Sequence, residues 1–135
     1  MNIGIHFFDM LQWIFGGVCR NIVHHMAPTA AAGYLELERA RVRWFLSLDS
    51  ANLPADITAK GGRTYRTVVV DGSEIEFSES FTELHINSYK EILAGRGFGL
   101  ADVAPSIQLV HDIRHMNAVG MKGDFHPFLG RHISA

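Results

Sequence analysis

The sequence predicts an α+β fold: an open, mostly antiparallel sheet of about five to six strands, with helices on one face and the other face used for oligomerisation. Three observations carry this. Short segments of alternating apolar and polar residues follow one another between residues 18 and 77, so strands adjacent in the chain are expected to pair. Helical periodicity occurs only before and after that block. Apolar residues also fall on both sides of the strands, at Tyr34, Phe45 and Val68-Val69-Val70. An antiparallel face open to water would alternate more strictly, so helices are expected over one face and another copy of the chain over the other.

Each element has its own signal. Ile3, Phe7, Leu11 and Ile14 recur at helical spacing and predict a first helix over 2–15, with Asn2, His6, Asp9 and Trp13 on an adjacent stripe. Gly16-Gly17 ends it. Residues 18–26 read as a strand, and Ala27-Pro28-Thr29 as a loop. Residues 34–38 and 41–49 alternate cleanly with only Arg39 and Ala40 between them, which predicts a hairpin. Glu36 and Glu38 would then face Arg41 and Arg43.

Residues 50–62 read as a loop, 64–70 as a strand, Asp71-Gly72 as a type I′ turn, and 73–77 as its return strand with Ile75 and Phe77 inward. Ser80-Phe81-Thr82-Glu83 has the form of a capping box. The helix it opens runs to residue 94 and is expected to bury Phe81, Leu84, Ser88 and Ile92. Gly95-Arg96-Gly97-Phe98-Gly99 follows that helix and not a strand, which argues against a dinucleotide-binding loop. Asp102 is expected to cap a last helix, with Pro105 in its first turn and Ile107, Val110 and Ile113-Arg114 continuing it to residue 117. The tail, 120–135, reads as irregular but docked through Phe125, Phe128 and Leu129.

The 135 residues fit one domain, 1–135. Hydrophobic residues at 47% against 19% charged suffice for a core and suggest some covered surface. A net charge of −2 with the His neutral gives no argument for nucleic acid or an anionic membrane as partner. No apolar run reaches the ~18 residues of a membrane span. Asn2, His6 and Asp9 interrupt the first apolar stretch, which lacks the basic flank of a signal peptide. Cys19 is the only cysteine, so a disulfide framework is excluded and a reducing, cytoplasmic location expected. The first helix starts almost at residue 1 with nothing to support it, which suggests a cut chain.

His6 is the leading candidate for chemistry. An imidazole near its reference pKa of ~6.5 can pass a proton at neutral pH, and Asn2, one turn earlier, is placed to hydrogen-bond the ring and choose its tautomer. A hydrogen-bonded structural histidine is the alternative. His24-His25 lie on a strand and are expected to face opposite ways. His111 and His115 have metal-competent spacing, but two ligands do not make a site and no metal is expected. His85 and Tyr89 share a helix face, either as packing or lining a pocket with imidazole and hydroxyl toward a sugar. Arg39, Arg41, Arg43, Arg63 and Arg66 are open to two readings: anion binding, or ion pairing with Glu36, Glu38, Glu74 and Glu76.

The segment Asn2-Ile3-Gly4-Ile5-His6-Phe7-Phe8-Asp9 resembles the Asp-x-Gly-x-His-x-x-Asp helix that opens the C-terminal domain of the glucose-fructose oxidoreductase/inositol dehydrogenase family. Residues 33–47, Gly95-Arg96-Gly97-Phe98-Gly99 with Pro105-Ser106-Ile107, and Lys122-Gly123-Asp124-Phe125-His126-Pro127-Phe128 resemble one branch of it, the UDP-N-acetyl-2-amino-2-deoxyglucuronate dehydrogenases of lipopolysaccharide and O-antigen synthesis. The resemblance implies a two-domain cytoplasmic enzyme. An N-terminal Rossmann domain, absent from this chain, would bind NAD mainly. This domain would supply substrate contacts and a homo-oligomer interface, giving a dimer or tetramer. The implied reaction is oxidation of the sugar C3 hydroxyl of UDP-N-acetylglucosaminuronic acid to a ketone, with the fragment alone inactive. His6 matches the family's active-site histidine, assisted by a lysine on the missing half. Asn2 stands where many members have Asp, and Asn cannot stabilise an imidazolium by charge. A non-catalytic binding or assembly module, or a dehydrogenase domain for another sugar or cyclitol, are the alternatives.

Overall fold

The computed structural model describes residues 4–76 and 84–133. In chain order the elements are α1 (Gly4–Phe15), β1 (Val18–Met26), β2 (Ala30–Leu37), β3 (Arg41–Ser47), α2 (Ala55–Ala59), β4 (Thr67–Val70), β5 (Ser73–Glu76), α3 (Leu84–Leu93), α4 (Leu100–His115) and α5 (Pro127–Ile133). They divide into two units, Met1–Leu48 with Gly99–Ala135, and Asp49–Phe98. The α+β class and the antiparallel pairing are as expected. The described strands, however, form a three-stranded sheet, β1-β2-β3, and a separate β4-β5 hairpin, instead of one sheet of about five to six.

In the first unit α1 ends where a glycine lets it. Gly16 takes φ +89°, and its N–H donates to the Gln12 carbonyl at 2.9 Å. The Phe15 and Ile14 carbonyls are then taken by the backbone N–H of Arg39 (3.0 Å) and its guanidinium (2.6 Å). A Cβ at Gly16 would meet Glu38 Oε2 at 2.4 Å and Glu38 Cβ at 2.9 Å. Gly16→Ala should therefore cost about 1–2 kcal/mol by combining positive φ with crowding. A urea midpoint that does not move would contradict this.

The buried residues of α1 are Gly4, Phe8 and Leu11: Leu11 is buried as the stripe predicts, but Phe8 takes the place of Phe7, which is half-buried, and Ile14 is exposed. The shift follows from Trp44, whose ring meets Phe8 edge-on at 5.3 Å and draws that face of the helix inward. Phe8, Val23, Leu35, Trp44, Leu109 and Ile113 form the core. Fully burying a side chain such as Phe8, Leu35 or Ile113 contributes about 1.5–3 kcal/mol. On α4 the inward set is Ser106, Leu109 and Ile113, while Ile107 is exposed.

The central strand β2 begins at Ala30, four residues before the alternation suggests, because the alanines at 30–32 are buried against both neighbours. In the β2-β3 register Glu36 faces Arg41, but Tyr34 faces Arg43 and Glu38 has left the ladder. Arg43 instead pairs with Asp124 at 3.5 Å, an exposed contact of little energetic weight.

The second sheet face of this unit is covered by the chain itself. Phe45 points opposite to Trp44 by the strand pleat and stacks with His126 and Phe128, both at 5.9 Å. His24 is the extra residue of a β1 bulge; its Nε2–H donates to the Lys122 carbonyl at 3.0 Å, and its ring meets Phe125 edge-on. Val119 and Gly120 donate backbone N–H groups to the Val23 and His24 carbonyls. The tail is thus docked as expected, but it is partly helical: α5 carries the fully buried Leu129.

His126 lies half-buried in that stack, and desolvation, then the Arg43 charge, hold its pKa below the usual 6.5. A histidine with a depressed folded pKa is disfavoured by protonation. Its contribution is complete above the unfolded pKa near 6.5 and is lost as pH falls from there toward the lower folded value. The Tm should fall on acidification through that window, and the fall should shrink in His126→Phe. An unchanged slope in that variant would remove His126 as the cause.

In the second unit, residues 50–62 are not a plain loop. Asp49 accepts from the Ala51 N–H at 2.9 Å and starts a single 3-10 turn, Ser50–Asn52, and α2 follows Pro54. Strand β4 is shorter than expected, starting at Thr67. Tyr65 lies outside it, and its hydroxyl donates to Glu74 at 2.5 Å beside the Thr67 hydroxyl at 2.8 Å. These two donors hold the Glu74 carboxyl below its ordinary range, so hydroxyls satisfy it rather than a facing arginine. Asp71 (φ 50°) and Gly72 (φ 83°) form the expected type I′ turn. Ile75 is exposed, not inward. The capping box and Phe81 lie outside the described residues. Helix α3 ends in a Schellman motif: Gly95 at φ +75°, Gly95 N–H to the Ile92 carbonyl, and Arg96 N–H to the Glu91 carbonyl. Contrary to expectation, Ser88 and Ile92 are exposed.

Candidate active site on the first helix

His6 is in the first turn of α1, exposed, and no described residue hydrogen-bonds its ring. Asn2 lies outside the described residues. His85 and Tyr89 lie on α3 in the other unit, one turn apart and both exposed.

Sequence reasoning missed the polar bridge between α1 and α4. The Ser106 hydroxyl donates to Asp9 Oδ1 at 2.6 Å and accepts from Gln12 Nε2 at 3.2 Å, while Gln12 Nε2 also reaches the Phe8 carbonyl at 3.2 Å. Above it opens a shallow hollow lined by Asp9, Gln12, Trp13, Asp102 and Ser106. Trp13 is 80% exposed at its edge. The available signal was the spacing of Ser106, Leu109 and Ile113, an i, i+3, i+7 face that contains a serine. Asp102 also changes role. Gly99 is the N-cap of α4 and Asp102 is the third helical residue, its Oδ2 accepting the Gly99 N–H at 2.7 Å. Pro105 consequently falls in the second turn.

His111 and His115 are exposed and stacked, ring centroids 4.1 Å apart, with His115 Nδ1–H donating to the His111 carbonyl at 2.7 Å. The ring planes lie 28° apart, and that carbonyl occupies one nitrogen of His115. Among the described residues no group of three His, Cys, Asp or Glu is placed to hold a metal ion. No described helix is long and apolar enough to cross a membrane.

No protein-family model matches the chain. Solved structures do. The WlbA (WbpB) dehydrogenase from Thermus thermophilus, in complex with NAD and α-ketoglutarate, is 50% identical with a TM-score of 0.89 over 94% of this chain. A structure of the same dehydrogenase with NAD and UDP-GlcNAcA is 48% identical with a TM-score of 0.88, again over 94% of this chain. The chain spans 41% of the length of that protein. Half identity with a shared fold establishes homology, and the resemblance to the C-terminal domain of the glucose-fructose oxidoreductase/inositol dehydrogenase family, in its UDP-sugar dehydrogenase branch, holds.

Proposed function

We propose, from this homology, that the chain is the substrate-side domain of an NAD-dependent oxidoreductase that oxidises the C3 hydroxyl of UDP-N-acetylglucosaminuronic acid in lipopolysaccharide O-antigen synthesis. The observation that carries the reading is the 48% identity to a dehydrogenase solved with NAD and UDP-GlcNAcA. A nucleotide domain outside this chain holds NAD; the glycine cluster at 95–99, which ends α3 and leads into α4, is committed to capping helices.

NAD supplies the hydride acceptor when bound. The residues of this chain do the rest. His6, open on α1, takes the proton of the C3 hydroxyl as the hydride leaves the same carbon. Asn2, one turn earlier in the sequence, is the residue we assign to orienting the imidazole, and a lysine on the other domain assists. His85 and Tyr89 offer an imidazole and a hydroxyl for sugar contacts. Exposed Val70 and Ile75, on the same face of the β4-β5 hairpin, support a homo-oligomeric assembly. The location is cytoplasmic, where UDP-sugars and reduced cysteine occur.

The test is NADH formation by the full-length protein that carries this chain. UDP-N-acetylglucosaminuronic acid should be turned over far faster than unlinked sugars or cyclitols. Equal rates on an unlinked substrate would reassign the substrate, and no turnover on any would leave a binding or assembly module.

A further inference from the structure

We propose that Ser106 is a positioning residue that sets the placement of His6, an inference that rests on the proton-handling role proposed for His6. Ser106 is 3% exposed, and among the described residues only His24 is a buried polar side chain besides it. Its hydroxyl joins positions 97 residues apart in the chain, donating to Asp9 and accepting from Gln12. Asp9 and Gln12 are i, i+3 on α1, so the helix is pinned to α4 at two points along its axis.

At its C-terminal end α1 is also tied to Arg39 through the Ile14 and Phe15 carbonyls; nearer His6 its inward contacts are apolar, through Phe8 and Leu11. Apolar contacts are non-directional and change little when a helix slides by a fraction of a turn. A hydroxyl's single donor bond at 2.6 Å is directional and does not tolerate such a slide. His6 precedes Asp9 by three residues, about 4.5 Å along the axis at 1.5 Å per residue. It has no tether of its own among the described residues, so its position is that of the helix. A displacement of about 1 Å at a reacting group can cost 10²-fold in rate.

In the full-length protein Ser106→Ala should lower kcat by about tenfold or more, with KM little changed. The His6 imidazole signals, followed by NMR, should move in the same variant. Ser106→Thr, which keeps the hydroxyl, should restore both. A Ser106→Ala protein with lowered Tm but wild-type kcat and unmoved His6 signals would overturn the proposal and leave the hydroxyl as a stability contact. If Ser106→Ala does not fold, Gln12→Leu decides by the same two measurements. A wild-type protein that forms no NADH would defeat the functional reading alone, and the His6 signals would then judge the positioning role without it.

Discussion

Replacing His6 by alanine in the full-length protein should lower turnover of UDP-N-acetylglucosaminuronic acid by about 10²–10⁴-fold, the usual contribution of a positioned acid–base group. That is about 3–5 kcal/mol at 1.36 kcal/mol per tenfold. NAD should still bind, because the proposed function places the dinucleotide on a domain outside this chain. The Tm should stay within about a degree or two, since His6 is exposed and surface substitutions away from caps and networks usually change stability by less than 0.5 kcal/mol. Turnover, NADH binding by fluorescence and Tm, measured on one preparation, separate a chemical role from a structural one. Turnover within threefold of wild type would end the catalytic assignment, and a collapsed Tm would reassign His6 to the fold.

Gly33→Ala should be among the most destabilising single substitutions in the chain, at roughly 2–4 kcal/mol. Gly33 is buried in the central strand, directly across from Trp44. A Cβ there would lie 2.4 Å from the Ile22 carbonyl oxygen and 2.5 Å from Trp44 Cζ2. The first contact is backbone of the paired strand and cannot move without opening the β1-β2 ladder. The second is a ring packed against Phe8, so relief there would push on α1. Shrinking the ring in a Trp44→Leu background should therefore recover part of the loss but not all of it, a coupling that a double-mutant cycle in urea reads directly. Full additivity of the two changes would show that the carbonyl clash dominates.

Local rules carried much of the fold. The end of α1 at Gly16-Gly17, the Asp71-Gly72 turn and the stop after α3 each depend on backbone freedom at one or two residues, and that chemistry is written locally. The α1 motif pointed to His6 for the same reason: helical spacing places it on a side adjacent to the apolar stripe without reference to the rest of the chain. The branch resemblance rested on contiguous stretches, and homology over 94% of the chain bears it out.

Other features were decided only in three dimensions. Phe8 rather than Phe7 joins Leu11 on the inward face of α1 because Trp44, far along the chain, meets Phe8 edge-on. Phe45 looked like a surface for another subunit, yet a tail more than seventy residues later covers it with His126 and Phe128. Only the packing of α4 against α1 brings Ser106 to Asp9. What the sequence by itself determined was the class and the punctuation of the helices, because these follow from local periodicity and side-chain chemistry. Tertiary structure alone decided which helix faces turn inward, what closes the second sheet face and which hydroxyl pins the first helix, because each depends on contacts between distant segments that no local pattern encodes.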